Sequence, residues 1–302
     1  MHQARIASTL IFVLILVGRG VSQQGVCQEQ RVVVNVRDKR GEFVPSLQAA
    51  DFRGKFRGKN IDIHSINAGP TASRVLIAVD ASGSMSVFQD VLPRLLTEIF
   101  ASFPETTQFG LIVFTERILR TVELGHARTE ILSAVSQPES GKGRTTLRDA
   151  LFYATKVLDP ARFGDSVIVI TDGSDNQSKT TMGTLAHAYL STEVRLSMIK
   201  LYSRYFQTEE GTLAGAEIED LAFESGGDVA ELHNPSEIGL ARDLADELVH
   251  YYVLKIALPQ LDKPTPWQLE IVDLSGRRRK DLKLTFSRKI RPCAALFTQS
   301  AR

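Results

Sequence analysis

The sequence predicts an α/β fold with a doubly wound, mostly parallel sheet, and two patterns in the 302-residue chain support this prediction. Mostly apolar runs, which suit strands buried on both faces of a parallel sheet, occur at 74–80, 109–114, 165–171 and 194–201. Stretches with apolar residues at helical spacing alternate with these runs. Alternation of strands and helices on this scale indicates βαβ units, in which helices cover both faces of the sheet.

Three apolar stripes predict individual helices. They consist of Phe88, Leu92, Leu95 and Ile99; of Leu147, Leu151, Ala154 and Leu158; and of Ile238, Ala241, Ala245 and Leu248. The segment 118–124 follows Phe114 almost at once, which leaves no room for a crossover helix, so we expect it to form an antiparallel edge strand. Together these elements predict an α/β domain at 74–250.

The segments on either side of this domain have strand patterns and little helical pattern. The predicted strands are 31–36, 60–66, 251–258, 267–274 and 282–290. Each flank alone is too small for its own core, since a few strands without a second layer are marginally stable. We therefore expect 23–73 and 251–302 to pack together as a β-sandwich beside the α/β domain. The basic run at 277–280 is interpreted as a solvated hairpin tip.

The first 22 residues have the pattern of a signal peptide. Residues 6–18 form a 13-residue apolar run without a charge, which is shorter than the roughly 20 apolar residues needed to span a bilayer. Gly20 and Ser22 then stand at the −3 and −1 positions of a cleavage site after Ser22. An uncleaved N-terminal anchor is the alternative. We expect a secreted or periplasmic (cell-envelope) protein with no stable membrane span after cleavage.

Composition excludes several classes of protein. Hydrophobic residues make up 43% and charged residues 24% of the chain, as in ordinary folded proteins. The formal net charge of +1 gives no electrostatic sign of nucleic-acid binding. Two cysteines, Cys27 and Cys293, are too few for a zinc ribbon or an iron–sulfur cluster. Because export exposes them to an oxidising compartment, we predict a disulfide between them, the alternative being two unpaired thiols.

Oxygen-bearing side chains follow three elements of the predicted α/β domain. Asp80, Ser82 and Ser84 come directly after the first buried strand, Thr145 precedes a predicted helix, and Asp172 ends a later buried strand. Ligands of such sheets bind at the carboxyl ends of the strands, where these residues are expected to converge. Two carboxylates and three hydroxyls suit a hard divalent cation, Mg²⁺ or a similar ion such as Mn²⁺. The alternative interpretation is that Asp80, Ser82 and Ser84 only cap a helix start.

These residues resemble the metal-ion-dependent adhesion site (MIDAS) of von Willebrand factor type A domains. In that family an Asp-x-Ser-x-Ser follows the first strand, a Thr precedes a later helix, and an Asp-Gly follows the fourth strand. The resemblance covers about 74–250 and implies a Rossmann-like fold and a metal site that accepts an Asp or Glu carboxylate from a protein partner. The flanks look like those of exported bacterial proteins with such a domain, known mainly from Acidobacteria.

Three further residues are candidates for the rim of this site. Arg144 stands where the family usually has a second Gly before the Thr, which would add a positive side chain near the metal. Asp175 and Asn176 come just after the Asp172-Gly173 pair and are expected to contact a partner, unless they belong to a plain solvated loop.

No pattern in the sequence supports catalysis. Ser84 lacks the Gly-x-Ser-x-Gly context of a nucleophilic serine, and 141–146 lacks both the first Gly and the Lys-Ser/Thr pair of a phosphate-binding loop. The six histidines show no zinc-ligand spacing. We therefore expect a binding protein that is not an enzyme. The alternatives are a metal-free structural or assembly protein of the cell envelope and, behind it, a Mg²⁺-dependent hydrolase.

Overall fold

A computed structural model describes residues 26–68, 74–137, 144–192, 194–202, 209–259 and 261–292. The predicted signal peptide at 1–22 and the predicted disulfide partner Cys293 lie outside these residues. Cys27 lies within the first strand, but only its backbone is described. The expected cleavage and the expected disulfide therefore stay predictions.

The described residues form strands, α-helices and three short 3₁₀ helices. The strands are β1 (Val26–Arg37), β2 (Phe52–Phe56), β3 (Lys59–Ile61), β4 (Ile63–Ala68), β5 (Arg74–Asp80), β6 (Gln108–Phe114), β7 (Ile118–Val122), β8 (Ser166–Thr171), β9 (Arg195–Leu201), β10 (Val229–Leu232), β11 (Tyr252–Pro259), β12 (Thr265–Pro266), β13 (Gln268–Ile271), β14 (Lys283–Phe286) and β15 (Lys289–Ile290). The α-helices are α1 (Leu92–Ser102), α2 (Arg128–Val135), α3 (Leu147–Val157), α4 (Met182–Leu190), α5 (Glu209–Ser225) and α6 (Gly239–Val249). The 3₁₀ helices are Ala49–Asp51, Gly83–Phe88 and Pro235–Ile238.

The centre of the molecule is a six-stranded sheet in the order β10-β9-β8-β5-β6-β7. Every neighbouring pair is parallel except β6 and β7, which are antiparallel. Helices α1, α2 and α6 cover one face of this sheet, and α3, α4 and α5 cover the other. The structure confirms the predicted α/β fold class. Among the described helices, none combines the length and apolar character needed to cross a bilayer.

Strand β5 shows why the sheet is buried on both sides. Val75, Ile77 and Val79 pack in the apolar cluster with α1 and α6, whereas Leu76 and Ala78 pack in the cluster with α3 and α4. Successive side chains of a strand point to opposite faces, so a strand covered on both faces is mostly apolar along its whole length. Each fully buried Val, Leu or Ile stabilises the fold by about 1.5–3 kcal/mol.

Antiparallel sheets are built from the two terminal segments together. Strand β1 lies between β14 and β11 in a four-stranded sheet, β14-β1-β11-β4, and β2 lies between β13 and β3 in a second sheet. Both sheets contribute to one apolar cluster that includes Val34 and Phe56 from the first segment and Leu254, Ile256 and Trp267 from the last. Neither segment could form this core alone, because each supplies only part of the strands and of the apolar side chains.

The terminal sheets contact the α/β core at the amino ends of its parallel strands. Arg195, the first residue of β9, stacks over the ring of Tyr251 at 4.6 Å from its centroid. Lys283 Nζ lies 2.5 Å from Asp228 Oδ2 and 3.5 Å from Glu247 Oε1. Asp228 directly precedes β10, and Glu247 lies in the last turn of α6. The carboxyl ends of the parallel strands therefore lie at the opposite edge of the sheet.

Glu247 at this junction makes the stability of the protein depend on pH. Burial, and then the nearby charge of Asp228, raise the pKa of Glu247 from 4.5 to about 7. In the unfolded chain the carboxyl ionises near pH 4.5, whereas in the folded protein it stays neutral up to about pH 7, so raising the pH across this window favours unfolding. Glu247→Gln removes this effect and should gain stability relative to wild type as the pH rises, by at most about 3 kcal/mol.

The measurement is denaturant unfolding of both proteins at pH 4.5 and at pH 8. The control is Asp243→Asn, an exposed acid on the same helix. For the control we expect the difference from wild type to be the same at both pH values. A Glu247→Gln variant with the same pH dependence as wild type would contradict the assigned role of Glu247.

Candidate metal centre

Asp80 is the last residue of β5, and its side chain is completely buried. Its Oδ1 accepts a hydrogen bond from the Ser82 amide at 2.8 Å, and its Oδ2 accepts one from the Thr171 hydroxyl at 2.7 Å. The register of β5 against β8 explains the second bond, since Val79 pairs with Ile170 and the next residues of both strands are thus adjacent. Both carboxylate oxygens are oriented by neutral donors, which leave the negative charge in place.

Ser82 and Ser84 follow Asp80 at the start of the 3₁₀ helix Gly83–Phe88. Their hydroxyl oxygens are 3.2 Å apart. Ser82 is buried and Ser84 is half-buried. The alternate spacing therefore places two neutral oxygens side by side, immediately after the buried carboxylate.

Thr145 is buried just before α3 and is held by two neighbouring loops. Its amide donates to Asn176 Oδ1 at 3.0 Å, and its carbonyl accepts from the amides of Asn176 and Gln177 at 3.2 and 3.1 Å. The next residue, Thr146, donates both its amide and its hydroxyl to the carbonyl of Thr115, each at 2.8 Å. The Thr145 segment is therefore tied to the loop that follows β8 and to the carboxyl end of β6.

Asp172 follows β8 directly. Its Oδ1 accepts the amide of Ser174 at 2.9 Å, whereas its Oδ2 is buried and has no hydrogen-bond partner. Gly173 fixes the turn: its φ of +90° favours glycine, and a Cβ there would lie 3.2 Å from the Cα of Gly215 on α5. The backbone of the turn therefore favours the glycine of the Asp-Gly pair, and the aspartate supplies the carboxylate.

The electrostatics of the site favour a bound cation. Burial, and then the charge of Asp172, raise the pKa of Asp80 from 3.8 to about 7. No ion pair to Asp80 or Asp172 forms within the described part of the chain. A buried carboxylate oxygen without a partner is costly, and a divalent cation would satisfy it. The donor set therefore fits a hard cation.

Hydroxyl oxygens are needed to complete such a site. Among the described residues, no group of three or more His, Cys, Asp and Glu side chains is placed to hold a metal ion. The two carboxylates would have to be supplemented by Ser82, Ser84 and Thr145. Asp80, Ser82, Ser84 and Asp172 lie at or just after the carboxyl ends of β5 and β8, and Thr145 is hydrogen-bonded to the loop that follows β8.

The predicted rim residues differ in their positions. Arg144 is exposed and donates from Nη1 to Gln177 Oε1 at 3.0 Å, and Asn176 is exposed. Asp175 is only 9% exposed, and its Oδ2 accepts from the Arg148 amide at 3.0 Å and from Arg148 Nε at 2.8 Å. It therefore braces the start of α3, and its contact with a partner stays a prediction.

Two residues outside the predicted site support it. Thr171 orients Asp80, and its hydroxyl also accepts the amide of Gly173 at 3.1 Å. Asp149 accepts the amides of Lys179 at 3.1 Å and Thr180 at 2.7 Å, which fixes the loop between β8 and α4 to α3. The sequence indicates Thr171 only by placing a hydroxyl side chain at the last position of a buried strand. The bonds of Asp149 join segments about 30 residues apart, and no local pattern shows them.

Residues 75–174 match the family model of the von Willebrand factor type A domain. The chain carries a von Willebrand factor type A domain. The matched residues include all five predicted metal ligands. Comparison with curated protein sequences returns no match.

Solved structures similar to this chain include several proteins of low sequence identity. Proximal thread matrix protein 1 from the mussel byssus, one structure of which has a zinc-occupied MIDAS motif, is 17% identical with a TM-score of 0.50, over 64% of this chain and 49% of its own. A von Willebrand factor type A protein from Catenulispora acidiphila is 14% identical, with a TM-score of 0.48, over 89% and 74% of the two chains. An aerotolerance-related membrane protein from Bacteroides fragilis is 18% identical, with a TM-score of 0.47, over 58% and 98%. At these identities the mussel protein supports the fold alone.

Proposed function

We propose that this chain is an exported binding protein that holds a divalent cation at Asp80, Ser82, Ser84, Thr145 and Asp172 and uses it to bind an acidic side chain of a protein partner. Mg²⁺ suits the all-oxygen donor set, and Mn²⁺ would suit it as well. The observation that carries the proposal is the buried, unpartnered Oδ2 of Asp172 beside the buried carboxylate of Asp80.

The carboxylates and the hydroxyls of the site would have different roles in binding a cation. Asp80 and Asp172 would supply the negative charge, while the three hydroxyls would supply neutral oxygens. When bound, a divalent cation would act as a Lewis acid, and the oxygen ligands of the site would leave it able to accept a further carboxylate. Arg144, exposed beside the site, adds a positive charge that would attract the same group. An Asp or Glu of a partner is therefore the expected ligand.

Sequence and family support the remaining parts of the proposal. Export rests on the N-terminal apolar segment at 6–18. The mussel byssus protein, whose fold resembles this one, has a MIDAS motif that can hold zinc. A binding role without catalysis rests on the lack of any sequence pattern for a nucleophile or general base at the site.

The metal part is tested by calorimetric titration of Mg²⁺ into wild type and single variants. Asp80→Ala should abolish measurable binding, because it removes one of only two anionic ligands. Ser82→Ala and Ser84→Ala each remove one neutral ligand and should weaken binding less, by roughly tenfold. The fold should survive in all three variants, since Asp80 is the last residue of β5, the two serines follow it, and none of the three belongs to the apolar core.

A matched control is Ser86→Ala, which removes an exposed hydroxyl from the same 3₁₀ helix. Its Mg²⁺ affinity should equal that of wild type. Equal Mg²⁺ affinity in wild type and Asp80→Ala, with both proteins folded as judged by circular dichroism, would show that Asp80 is not a ligand. Loss of binding in Ser86→Ala would show that the effect of the serine variants is structural.

The partner part is tested by capture from envelope extract, with Mg²⁺ or with chelator. A partner bound through its carboxylate should be retained by wild type in Mg²⁺ only and by Asp80→Ala in neither buffer. Amidation of the extract's carboxyl groups before capture should abolish retention. A partner retained equally in chelator would instead favour a metal-free structural or assembly role.

A further inference from the structure

Charge is separated between the α/β core and the terminal segments. Residues 74–250 contain 15 Lys and Arg against 26 Asp and Glu, a net charge of −11. The segments 23–73 and 251–302 together contain 19 Lys and Arg against 9 Asp and Glu, a net charge of +10. The whole-chain value of +1 conceals this separation. The candidate metal site does not require it, because that site lies at the far edge of the acidic core.

A rigid turn between β13 and β14 carries a fully exposed leucine within the basic part. The amide of Gly276 donates to the Asp273 carbonyl at 2.8 Å, and Asp273 Oδ1 accepts the amides of Ser275 and Arg277, each at 2.9 Å. Gly276 has a φ of +77°, which glycine adopts at little cost. At the tip, Leu274 has a relative exposure of 108%. The turn therefore holds a large apolar side chain in solvent by its own hydrogen bonds.

Cationic side chains lie in the same turn and against it. Arg277, Arg278 and Lys280 are exposed, the side chain of Arg277 by 83%. Arg53, on β2, donates to the Gly276 carbonyl at 3.0 Å and so lies against the turn. We call Arg53, Leu274, Arg277, Arg278 and Lys280 the basic turn.

Part of this positive charge is not neutralised by neighbouring acids. Arg277 lies 3.5 Å from Asp273, and Arg53 lies 2.7 Å from Glu270. Arg278 and Lys280 form no ion pair within the described part of the chain. The basic turn thus combines an exposed apolar tip with an excess of positive charge.

We propose that the basic turn binds the surface of an anionic phospholipid bilayer, with Leu274 entering the headgroup region. Lys and Arg side chains near such a surface are attracted to its negative potential. An apolar side chain gains free energy when it leaves water for the boundary between headgroups and acyl chains. A soluble polyanion would use the cations but would have no use for an exposed leucine, which favours the bilayer.

The position of the basic turn gives this attachment an orientation. The terminal sheets contact the core at the amino ends of its parallel strands, and the candidate metal site lies at the carboxyl ends. The core, with its net charge of −11, would be repelled by an anionic surface. Attachment through the basic turn would therefore leave the carboxyl edge of the central sheet facing away from the bilayer.

The test is co-sedimentation with vesicles, using residues 23–302, which include every described residue and omit the N-terminal apolar run. Chelator is present, so the result does not depend on the metal site. Wild type should bind vesicles of phosphatidylcholine with about one third phosphatidylglycerol and not vesicles of phosphatidylcholine alone, and added salt should weaken the binding. Leu274→Ser should weaken it about tenfold. The triple variant Arg277→Gln, Arg278→Gln, Lys280→Gln should weaken it about a hundredfold.

Matched controls lie on the acidic core. Leu213→Ser removes a 70% exposed leucine from α5, and the triple variant Arg94→Gln, Arg117→Gln, Lys156→Gln removes the same number of exposed charges. Both should bind anionic vesicles like wild type. The proposal is overturned if wild type does not bind anionic vesicles, or if the controls lose as much affinity as the basic-turn variants. It is also overturned if heparin binds as tightly as vesicles while Leu274→Ser changes neither affinity, since the surface would then recognise a polyanion.

Discussion

The candidate metal site depends on two like charges that are held at the ends of neighbouring parallel strands. The pairing of β5 with β8 brings Asp80 and Asp172 together, and the neighbouring charge raises the pKa of Asp80 in addition to the effect of burial. The groups that bind these carboxylates are neutral: the amides of Ser82 and Ser174 and the hydroxyl of Thr171. Hydrogen bonds of this kind orient a carboxylate without cancelling its charge. The arrangement is therefore complementary to a cation.

The residues that stabilise the fold are different from those that form the candidate metal site. The central sheet is packed between two apolar clusters, one on each face, and these do not include the polar side chains at its carboxyl edge. Backbone hydrogen bonds then join the loops to one another, through the carbonyls of Thr115, Phe114 and Thr145. Preorganisation of this type allows a site to gain affinity without ordering loops when a ligand binds. The terminal sheets add a second, basic end to the molecule, at the opposite edge of the same sheet.

The parallel core could be predicted from the sequence because strands buried on both faces are mostly apolar. The sequence patterns do not predict helices α2, α4 and α5 or strands β2 and β10. Of these, α2 buries only Ile131 and Ala134, and β10 has four residues, too few for a readable period. The candidate ligands could be predicted from their positions at strand ends. The environment of Asp175 could not, because its partner Arg148 comes from another segment and only the folded chain joins them. Separation of charge between core and termini was readable in the sequence, but the net charge of the whole chain hid it.

The central claim is that the like charges of Asp80 and Asp172 destabilise the folded protein until a cation binds between them. The most direct test is to measure the free energy of unfolding of wild type and Asp172→Asn, in chelator and in saturating Mg²⁺. In chelator the variant should be the more stable, by about 1 kcal/mol or more, because it removes one of two like charges. In Mg²⁺ the order should reverse, because only wild type gains stability from the ion. Asp220→Asn, an exposed acid on α5, should follow wild type in both buffers. The same order of stability in both buffers, or a wild type that Mg²⁺ does not stabilise, would contradict the account.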